Sequence, residues 1–492
     1  MDNLVLRYYN DENQDVERLA MGAMSPSRIY RELKRHGVSG AKRKLLARLA
    51  SSASDQASFR ILLITNRDSD NVGDQVIEEC DIALIRAIMK NLGIHDYSLS
   101  SRAAGIISKK YLESRNPTLL QEAEKAISES DLIIFGGAPL FNFRYQVFHE
   151  RTAITLQLAQ QYDKPVLFSA IGIEGYEEES EACQNLKQAL NLDCVRQITT
   201  RDDYPSLERF VARGSLPIDR VADPAILSNI VFSQFTQCND INSRDVVGLF
   251  VVRPRIFRDN GVSLTEKQLD KFWVSLIGRL NEAGTPYELI TSGHFSDEAY
   301  LEHLVRTHGV SLERCAFNMN TPEELVKRIS GYKAILTCRL HPSIIAYSLE
   351  VPSVSLVWNS KVSFFYDIIG HPERALGVGD LSADAALDAL EKACQTGTSA
   401  DDAYRMSVYQ SLFEGIRNIL CPESMARPYN LPQLRRNIIP FRGTTDKEKQ
   451  AKLERKFRRT YDKFNRVSDQ NQRLKKRNAT LKTKVARLRD DR

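Results

Sequence analysis

Residues 59–93 read FRILLITNRDSDNVGDQVIEECDIALIRAIMKNLG. The first seven residues form an apolar run broken only by Arg60, which indicates a strand buried within a sheet. After a polar loop, apolar residues recur at helical spacing from Val76 to Leu92, and Gly93 ends the pattern. A buried strand, a polar loop and an amphipathic helix in this order are typical of a parallel α/β sheet.

The same unit of strand, loop and helix recurs along the chain. In the first half, further buried-strand candidates are residues 131–137, 164–172, 195–203 and 219–227. A polar stretch at 233–245 interrupts the pattern, and strand candidates resume at 246–252, 287–291, 333–337 and 352–358. Strands that alternate with helices form parallel sheets covered on both faces. The sequence therefore predicts an α/β protein with two Rossmann-like domains and a cleft between them.

Changes of composition divide the chain into five predicted segments. A helical N-terminal extension precedes the two Rossmann-like domains, a helical return segment with a linker follows them, and a basic coiled coil comes last. In that order, the segments are residues 1–58, 59–235, 243–398, 399–440 and 446–492.

The positive charge is concentrated in the last segment. The net charge is +5, but residues 447–492 alone carry 18 Lys and Arg against 6 Asp and Glu, so the rest is mildly acidic. The eight cysteines show no metal-ligand spacing, which is typical of reduced thiols inside the cell. Because there is no apolar signal core and no apolar run of bilayer length, we expect a cytoplasmic protein.

The basic tail also carries a heptad pattern, with Leu prevailing at position d and Asn at two a positions. The a residues are Phe464, Asn471, Asn478 and Val485, and the d residues are Val467, Leu474, Leu481 and Leu488. This pattern favours a parallel two-stranded coiled coil, so we expect a homodimer through 464–488. A solvated single helix is the alternative. Mostly basic e and g positions would repel each other in a homodimer, and an acidic partner would relieve that repulsion.

Polar and glycine residues follow several predicted strands, which is where ligands bind in an open parallel sheet. The residues at the first helix entrance can hold a ligand, although a plain helix cap is the alternative. Glycines after the next two strands let a ligand approach the backbone closely. The ligand-binding candidates on these loops are Asn71, Gly73, Asp74, Gly136, Gly137 and Gly172.

Three cationic residues and one histidine also follow strands. Arg201 comes after an apolar strand and suits phosphate or carboxylate, unless it forms a salt bridge with Asp202 or with the other domain. Arg339 and His341 come directly after the strand at 333–337, and Lys361 follows the next strand. A helix-capping or core histidine is the alternative for His341. If these side chains converge, they suit a dianion that must receive one proton near neutral pH.

Taken in order, seven short motifs resemble the polysaccharide pyruvyl transferase family over about residues 59–375. They are N-V-G-D at 71–74, G-G at 136, I-G at 171, T-R-D at 200, A-D-P at 222, R-L-H at 339 and the downstream Lys361. One departure is Ala138, because the family usually has a third glycine in that loop.

The resemblance implies a GT-B-like two-domain fold, phosphoenolpyruvate as the donor co-substrate, and a glycan or a lipid-linked sugar as the acceptor. It implies catalytic roles for Arg201, His341 and Lys361, and donor binding by Arg339 and the loop residues named above. With these residues, we expect His341 to protonate the donor and a pyruvate ketal to form. We expect neither a metal ion nor a cofactor at this site.

Two other functions stay open on the sequence alone: a GT-B nucleotide-sugar glycosyltransferase and a non-catalytic scaffold organised by the coil. The basic tail also predicts contact with an anionic membrane surface, which would place the protein at the inner face of the cell membrane. Nucleic acid is not an expected partner, because base-reading motifs are lacking.

Overall fold

The computed structural model of the chain describes residues 59–144, 147–236, 245–379 and 381–490, with side chains up to residue 484. The predicted helical extension at 1–58 lies outside the described residues. Two six-stranded parallel sheets with helices around them confirm the predicted α/β class. We call the halves built on the first and second sheets the N-terminal lobe and the C-terminal lobe.

The sheet of the N-terminal lobe has the strand order β2-β1-β3-β4-β5-β6. Its strands are β1 Phe59–Thr65, β2 Tyr97–Ala103, β3 Leu132–Phe135, β4 Val166–Ile171, β5 Val195–Thr200 and β6 Ile218–Arg220. The helices of this half are α1 Val72–Asn91, α2 Lys109–Ser114, α3 Gln121–Ser128, α4 Phe148–Gln161, α5 Glu181–Leu190, α6 Tyr204–Phe210 and α7 Ser228–Val231. Short 3-10 turns are Ala104–Ile106, Pro117–Leu119 and Pro224–Leu227.

The sheet of the C-terminal lobe has the strand order β12-β11-β10-β7-β8-β9. Its strands are β7 Val247–Phe250, β8 Tyr287–Ile290, β9 Cys315–Ala316, β10 Ala334–Thr337, β11 Ser353–Leu356 and β12 Ala375–Leu376. The helices are α8 Arg255–Asp259, α9 Glu266–Glu282, α10 Phe295–His308, α11 Pro322–Ser330, α12 Leu340–Ser348, α13 Ser360–Ile368 and α14 Ala383–Thr396, with 3-10 turns at Leu312–Arg314 and Pro372–Arg374. Counted from its own first strand, this sheet has the order 3-2-1-4-5-6 of a dinucleotide-binding Rossmann fold.

Each lobe has its own hydrophobic core. Central strands such as β3, β4, β7, β10 and β11 are buried along their whole length, because helices cover both faces of the sheet. Many of the buried side chains form two separate clusters, one on each sheet. Two cores, each with its own sheet, are what the interrupted strand pattern of the sequence predicted.

After the C-terminal lobe the chain returns to the first sheet. Helix α15 Asp402–Leu420 packs on this sheet, and α16 Leu431–Asn437 follows it in the chain. The side-chain amide of Gln197 on β5 donates to the backbone oxygen of Ser411 on α15 at 3.1 Å. Gly415 lies against Gln197, where a Cβ atom would come within 2.8 Å of its Oε1 atom. The returning helix is therefore packed closely on the N-terminal sheet.

The sequence misplaced or missed some strands. Of residues 219–227, predicted as one strand, only the start belongs to β6, while Pro224–Leu227 forms a 3-10 turn. Proline at 224 cannot donate to a strand ladder, and Asp223 instead caps the turn by accepting from the backbone N–H of Ala225 at 2.8 Å. The edge strands β2, β9 and β12 were not predicted. Strands β9 and β12 span only two residues each, and β2 is polar and partly exposed along its seven residues, so none of them gives a continuous apolar run.

A single long helix, α17 Asp446–Asp490, follows. Its first half contacts both lobes: Arg459 pairs with Asp70, on a loop of the N-terminal lobe, at 2.8 Å, and Lys456 pairs with Glu298, in the first turn of α10 of the C-terminal lobe, at 2.8 Å. Its exposed large apolar side chains are Leu453, Phe457, Tyr461, Phe464, Val467, Leu474 and Leu481. Among the described residues, no helix is both long and apolar enough to cross a bilayer.

Candidate active site

Several of the candidate residues lie where the strand order of each sheet reverses, and Gly172, Arg201 and Lys361 follow neighbouring strands. In the N-terminal lobe this point lies between β1 and β3, and in the C-terminal lobe between β7 and β10. Ligands of open α/β sheets bind at such points, beyond the carboxyl ends of the strands. Asn71 follows β1 and Gly136 follows β3, while Arg253 follows β7 and Arg339 follows β10.

His341, in the first turn of α12, packs directly on the first turn of α1 in the other lobe. A Cβ atom on Gly73 would lie 2.5 Å from both Cβ and Nδ1 of His341, so only glycine permits this contact. The side-chain nitrogen of Asn71 lies 3.3 Å from Nδ1 of His341, and an Asp74 oxygen lies 3.7 Å from it. The N-V-G-D motif therefore touches the imidazole.

The environment of His341 keeps the imidazole neutral. Burial lowers its pKa well below the ordinary 6.5, and the charges of Arg201, Arg339 and Lys361 lower it further. Its Nε2 atom is buried and has no hydrogen-bond partner among the described residues. The three predicted cations thus act on one imidazole, which is neutral at physiological pH.

Asp74, which lies beside His341, is an acidic group of the site whose pKa is close to neutral pH. Burial raises its pKa to about 6, although Ser69, Asn66 and the nearby Arg201 and Arg339 favour its charged form. The side chain of Asn66 donates to Asp74 at 2.8 Å. A carboxyl group with this pKa can exchange a proton near neutral pH.

Arg201 is buried and paired within its own lobe. Its Nη1 atom donates to Asp223 at 2.5 Å and to the backbone oxygen of Gly137 at 3.2 Å. Asp202, one of the predicted alternative partners, instead accepts from the backbone N–H of Ile173 at 2.8 Å. The Nε atom of Arg201 has no partner among the described residues. Gly172 makes room for the guanidinium, since a Cβ atom there would lie 3.2 Å from Nη2.

Other side chains of the protein pack closely against Gly136 and Gly137. A Cβ atom on Gly136 would lie 2.2 Å from a carboxylate oxygen of Asp81, and one on Gly137 would lie 3.0 Å from the side chains of Ile77 and Pro224. The backbone N–H of Gly137 donates to Asp81 at 3.2 Å, and burial raises the pKa of Asp81 well above 3.8. The sequence predicted that these glycines admit a ligand. The side chain of Asp81 fills the space beside the α-carbon of Gly136, and those of Ile77 and Pro224 fill the space beside Gly137.

Arg339 belongs to a charge cluster that the sequence did not predict. It donates through two nitrogens to one oxygen of Asp297, at 3.1 and 2.5 Å, while Arg253 donates to the other oxygen at 2.9 Å. The side chain of Asp297 is fully buried. Arg253 also lies 3.2 Å from Nδ1 of His294, whose pKa is lowered to about 4, chiefly by burial. Two guanidinium groups therefore share a single carboxylate.

Lys361 joins the two lobes. Its ammonium group donates to Glu174 of the N-terminal lobe at 2.7 Å, and the other oxygen of Glu174 accepts from Asn142 at 2.5 Å. The Lys361 side chain is only 8% exposed, so this ion pair is largely shielded from water. Glu174 lies just beyond the I-G motif at 171, on the loop that follows β4.

Asp68 and Asp70, on the loop after β1, bind the long helix. Asp68 pairs with Arg455 at 3.3 Å, and Asp70 pairs with Arg459 at 2.8 Å. These contacts border a cavity of about 50 Å³ at the edge of the cleft, which the first half of α17 covers. This loop thus serves as a docking point for α17.

Taken together, the fold and the site define a two-lobed α/β protein of the GT-B arrangement with a cationic site at the meeting of two switch points. The sequence model described as "Polysaccharide pyruvyl transferase" matches residues 7–360, which is most of the chain. The protein belongs to the polysaccharide pyruvyl transferase family and is accordingly a transferase that acts on polysaccharide. The match begins within residues 1–58, which the resemblance had been expected to exclude, and ends one residue before Lys361.

The chain is similar to several solved structures at low sequence identity. The S. aureus MnaA–UDP structure has a TM-score of 0.50 and 12% identity, covering 76% of this chain and 100% of that chain. A UDP-GlcNAc 2-epimerase from Methanocaldococcus jannaschii has a TM-score of 0.45 and 13% identity, covering 72% and 98%. The E. coli heptosyltransferase WaaC with ADP has a TM-score of 0.36 and 13% identity, covering 68% and 100%. No curated protein sequence gave a significant match.

Proposed function

We propose that the protein transfers the pyruvyl group of phosphoenolpyruvate to a sugar of a polysaccharide, or of its lipid-linked precursor, and forms a cyclic pyruvate ketal. The observation that carries this proposal is the position of His341, where Arg201, Arg339 and Lys361 all depress the pKa of one buried imidazole. Such a site attracts a small anion of high charge, and phosphoenolpyruvate carries both a carboxylate and a phosphate.

The C-terminal lobe is the proposed anchor for the donor. Arg253 and Arg339 share one carboxylate, Asp297, and therefore leave an excess of positive charge beside His341. Arginine forks suit both phosphate and carboxylate oxygens. On the opposite wall, Arg201 offers its unpartnered Nε atom. In this proposal Arg253 joins the donor-binding residues that the sequence indicated.

The donor itself converts His341 into an acid. When the anion offsets the three cations, the pKa of the imidazole rises and its Nδ1 atom takes up a proton beside Asp74. The Nε2 proton then passes to the methylene carbon of phosphoenolpyruvate, which becomes a methyl group and leaves a cationic centre at the phosphate-bearing carbon. Asn71 and Asp74 act as positioning residues for this imidazole.

The remaining steps use the acceptor sugar. One hydroxyl attacks the cationic carbon and loses its proton, and the carbon–oxygen bond to phosphate breaks. A second hydroxyl of the same ring then closes the ketal and loses its proton, so one diol and one phosphoenolpyruvate yield one ketal and one phosphate. Because both hydroxyls belong to one sugar, the second step is intramolecular and correspondingly fast.

The test is phosphate release from phosphoenolpyruvate in the presence of candidate acceptor glycans. We expect His341→Ala to abolish release while calorimetry still detects phosphoenolpyruvate binding. His371→Ala is the matched control, since His371 also lies beside a carboxylate, Glu373, at 3.1 Å and is not part of the site. Unchanged turnover in His341→Ala would remove the proposed acid. Thermal stabilisation by a uridine nucleotide, but not by phosphoenolpyruvate, would favour a nucleotide-sugar glycosyltransferase.

The tail supports a separate proposal about assembly and location. Phe464, Val467, Leu474 and Leu481, which occupy a and d positions, are all about half exposed or more on α17. Two such stripes bury each other in a parallel homodimer, and the surrounding basic residues contact an anionic membrane surface. Light scattering of the full chain and of a chain ending at residue 463 tests the dimer. Sedimentation of both with anionic vesicles, at low and high salt, tests the membrane contact.

A further inference from the structure

Away from the cleft, three potential metal ligands converge on the C-terminal lobe. Asp270 lies on α9, and His303 and His308 lie on the second half of α10. The Nε2 atoms of both histidines lie 3.1 Å from the same Asp270 oxygen, Oδ2. All three ligand atoms fall within 4.8 Å of one another. We propose that Asp270, His303 and His308 form a binding site for a divalent transition-metal ion of the Zn²⁺ type.

The distances suit such an ion. Zn²⁺ binds histidine nitrogen and carboxylate oxygen at about 2.0–2.2 Å, so neighbouring ligands of a tetrahedral ion lie about 3.3 Å apart. The two observed separations of 3.1 Å are close to that value before any adjustment of the side chains. Two imidazoles and one carboxylate are preferred by Zn²⁺, Co²⁺ and Ni²⁺ over Mg²⁺ and Ca²⁺.

Neighbouring side chains hold the ligands in position. The hydroxyl of Tyr300 donates to the other oxygen of Asp270 at 2.7 Å, so Oδ2 stays directed at the histidines. The hydroxyl of Thr307 lies 3.2 Å from Nδ1 of His303, which gives that nitrogen a partner and leaves Nε2 for the ion. Outer hydrogen bonds of this kind are characteristic of metal-bound histidines and carboxylates.

Access and location agree with an ion that enters from solvent. The Asp270 side chain is 12% exposed, whereas those of His303 and His308 are 30% and 29% exposed, so water can reach the site and complete the coordination. The ion would tie α9 to α10. The other end of α10 carries Asp297, the shared partner of Arg253 and Arg339, so the ion would fix the helix that positions these arginines.

The test uses the full chain, stripped with a chelator and titrated with Zn²⁺ against a chromophoric competitor. We expect one equivalent of Zn²⁺ to bind, and His303→Ala and His308→Ala each to weaken this binding at least tenfold. His371→Ala, which removes a histidine paired with a single carboxylate, should leave it unchanged. His308 is partly exposed and lies in the last turn of its helix, so its replacement tests the site without unfolding the lobe.

Co²⁺ distinguishes this site from one made of cysteines. The proposed nitrogen and oxygen ligands predict visible absorption bands of bound Co²⁺ without a thiolate charge-transfer band in the near ultraviolet. Zn²⁺ should raise Tm by several degrees in the natural chain and not in His308→Ala, while Mg²⁺ should raise neither. Absence of stoichiometric Zn²⁺ binding, or equal binding by His308→Ala, would overturn the proposal. None of these readouts depends on pyruvyl transfer.

Discussion

The two halves of the candidate site carry their positive charge differently. In the N-terminal lobe, Arg201 faces one carboxylate, Asp223, and both side chains are only 4% exposed. In the C-terminal lobe, Arg253 and Arg339 divide one carboxylate, Asp297, between them. The first half is a neutral, closed ion pair, and the second keeps an excess positive charge. The charge of Arg201 is neutralised within its own lobe, and only its Nε atom is left without a partner among the described residues. The two arginines that share Asp297 keep a net positive charge for an anionic ligand.

Breaking the closed pair should have the largest effect on stability. Arg201→Met leaves the carboxylate of Asp223 buried without its partner, and we expect a loss of about 3–5 kcal/mol in the free energy of unfolding. Urea unfolding measures this loss. The double variant Arg201→Met/Asp223→Leu should regain most of it, because it buries no unpaired charge. A loss below about 1 kcal/mol in the single variant would contradict the closed-pair description.

A fall in pH should change the free energy of unfolding in opposite directions through His294 in the C-terminal lobe and through Asp74 in the N-terminal lobe. The folded pKa of His294 is about 4, below its ordinary 6.5, so its contribution to stability is complete above pH 6.5 and is lost as the pH falls toward 4. We expect the His294 part of this loss to reach about 2 kcal/mol at pH 5 and to be absent in His294→Gln, while the loss due to His341, whose pKa is also depressed, remains. The measurement is urea unfolding at pH 7 and pH 5.

Asp74 provides the opposite case in the N-terminal lobe. Its folded pKa of about 6 lies above the ordinary value, so protonation between pH 7 and pH 5 favours the folded state by about 1 kcal/mol. Asp74→Asn should remove this gain and steepen the acid loss that His294 causes. The same pH dependence in both variants would show that neither group titrates as described.

The ion pair between Lys361 and Glu174, which joins the two lobes, should contribute an intermediate free energy to stability. Lys361 and Glu174 are 8% and 19% exposed, and a double-mutant cycle with Lys361→Met and Glu174→Gln should give a coupling of about 1–2 kcal/mol. Unfolding of the three variants measures this coupling. A coupling near zero would mean that the lobes meet without help from this ion pair.

Removing one of the two cations that share Asp297 should have the smallest effect on stability. Arg253→Gln leaves Asp297 paired with Arg339, so we expect a loss of less than about 1 kcal/mol. The same change should weaken phosphoenolpyruvate binding several-fold, and the weakening should diminish at high salt. Calorimetry at two salt concentrations measures this binding. A large loss of stability with unchanged binding would show that Arg253 serves the fold and not the ligand.

Much of the fold follows from periodicity, because central strands buried on both faces leave continuous apolar runs in the sequence. The strand-end rule also selected Arg201, Arg339, His341 and Lys361, and in the structure the three cations act on the one imidazole. Applied further, it would have found Arg253 after β7 and His294 after β8, since both follow apolar strands. These two residues were missed although their signal is present.

Other features are not accessible from the sequence because they depend on contacts between distant residues. Gly73 read as a helix-entrance glycine, but its space is taken by His341 of the other lobe. Asp297 resembles an ordinary acidic residue in the first turn of a helix, and only the packing shows that two arginines surround it. Gly136 and Gly137 suggested a ligand loop, while the structure places Asp81 there.

The long helix α17 acts as a lever on the cleft. Arg459 and Lys456 fix its base to opposite lobes, so any hinge movement between the lobes must break one of these contacts or tilt the helix. From residue 469 to residue 484 every side chain is exposed, and residues 469–490 extend over roughly 33 Å at 1.5 Å per residue. Measured from Arg459, the helix extends roughly 47 Å to residue 490, so a tilt of about 10° at this base would move the tip by about 8 Å. Immobilising the tip of α17 would therefore hinder opening of the cleft. A displacement of the tip would in turn be transmitted through the helix to the region between the two lobes.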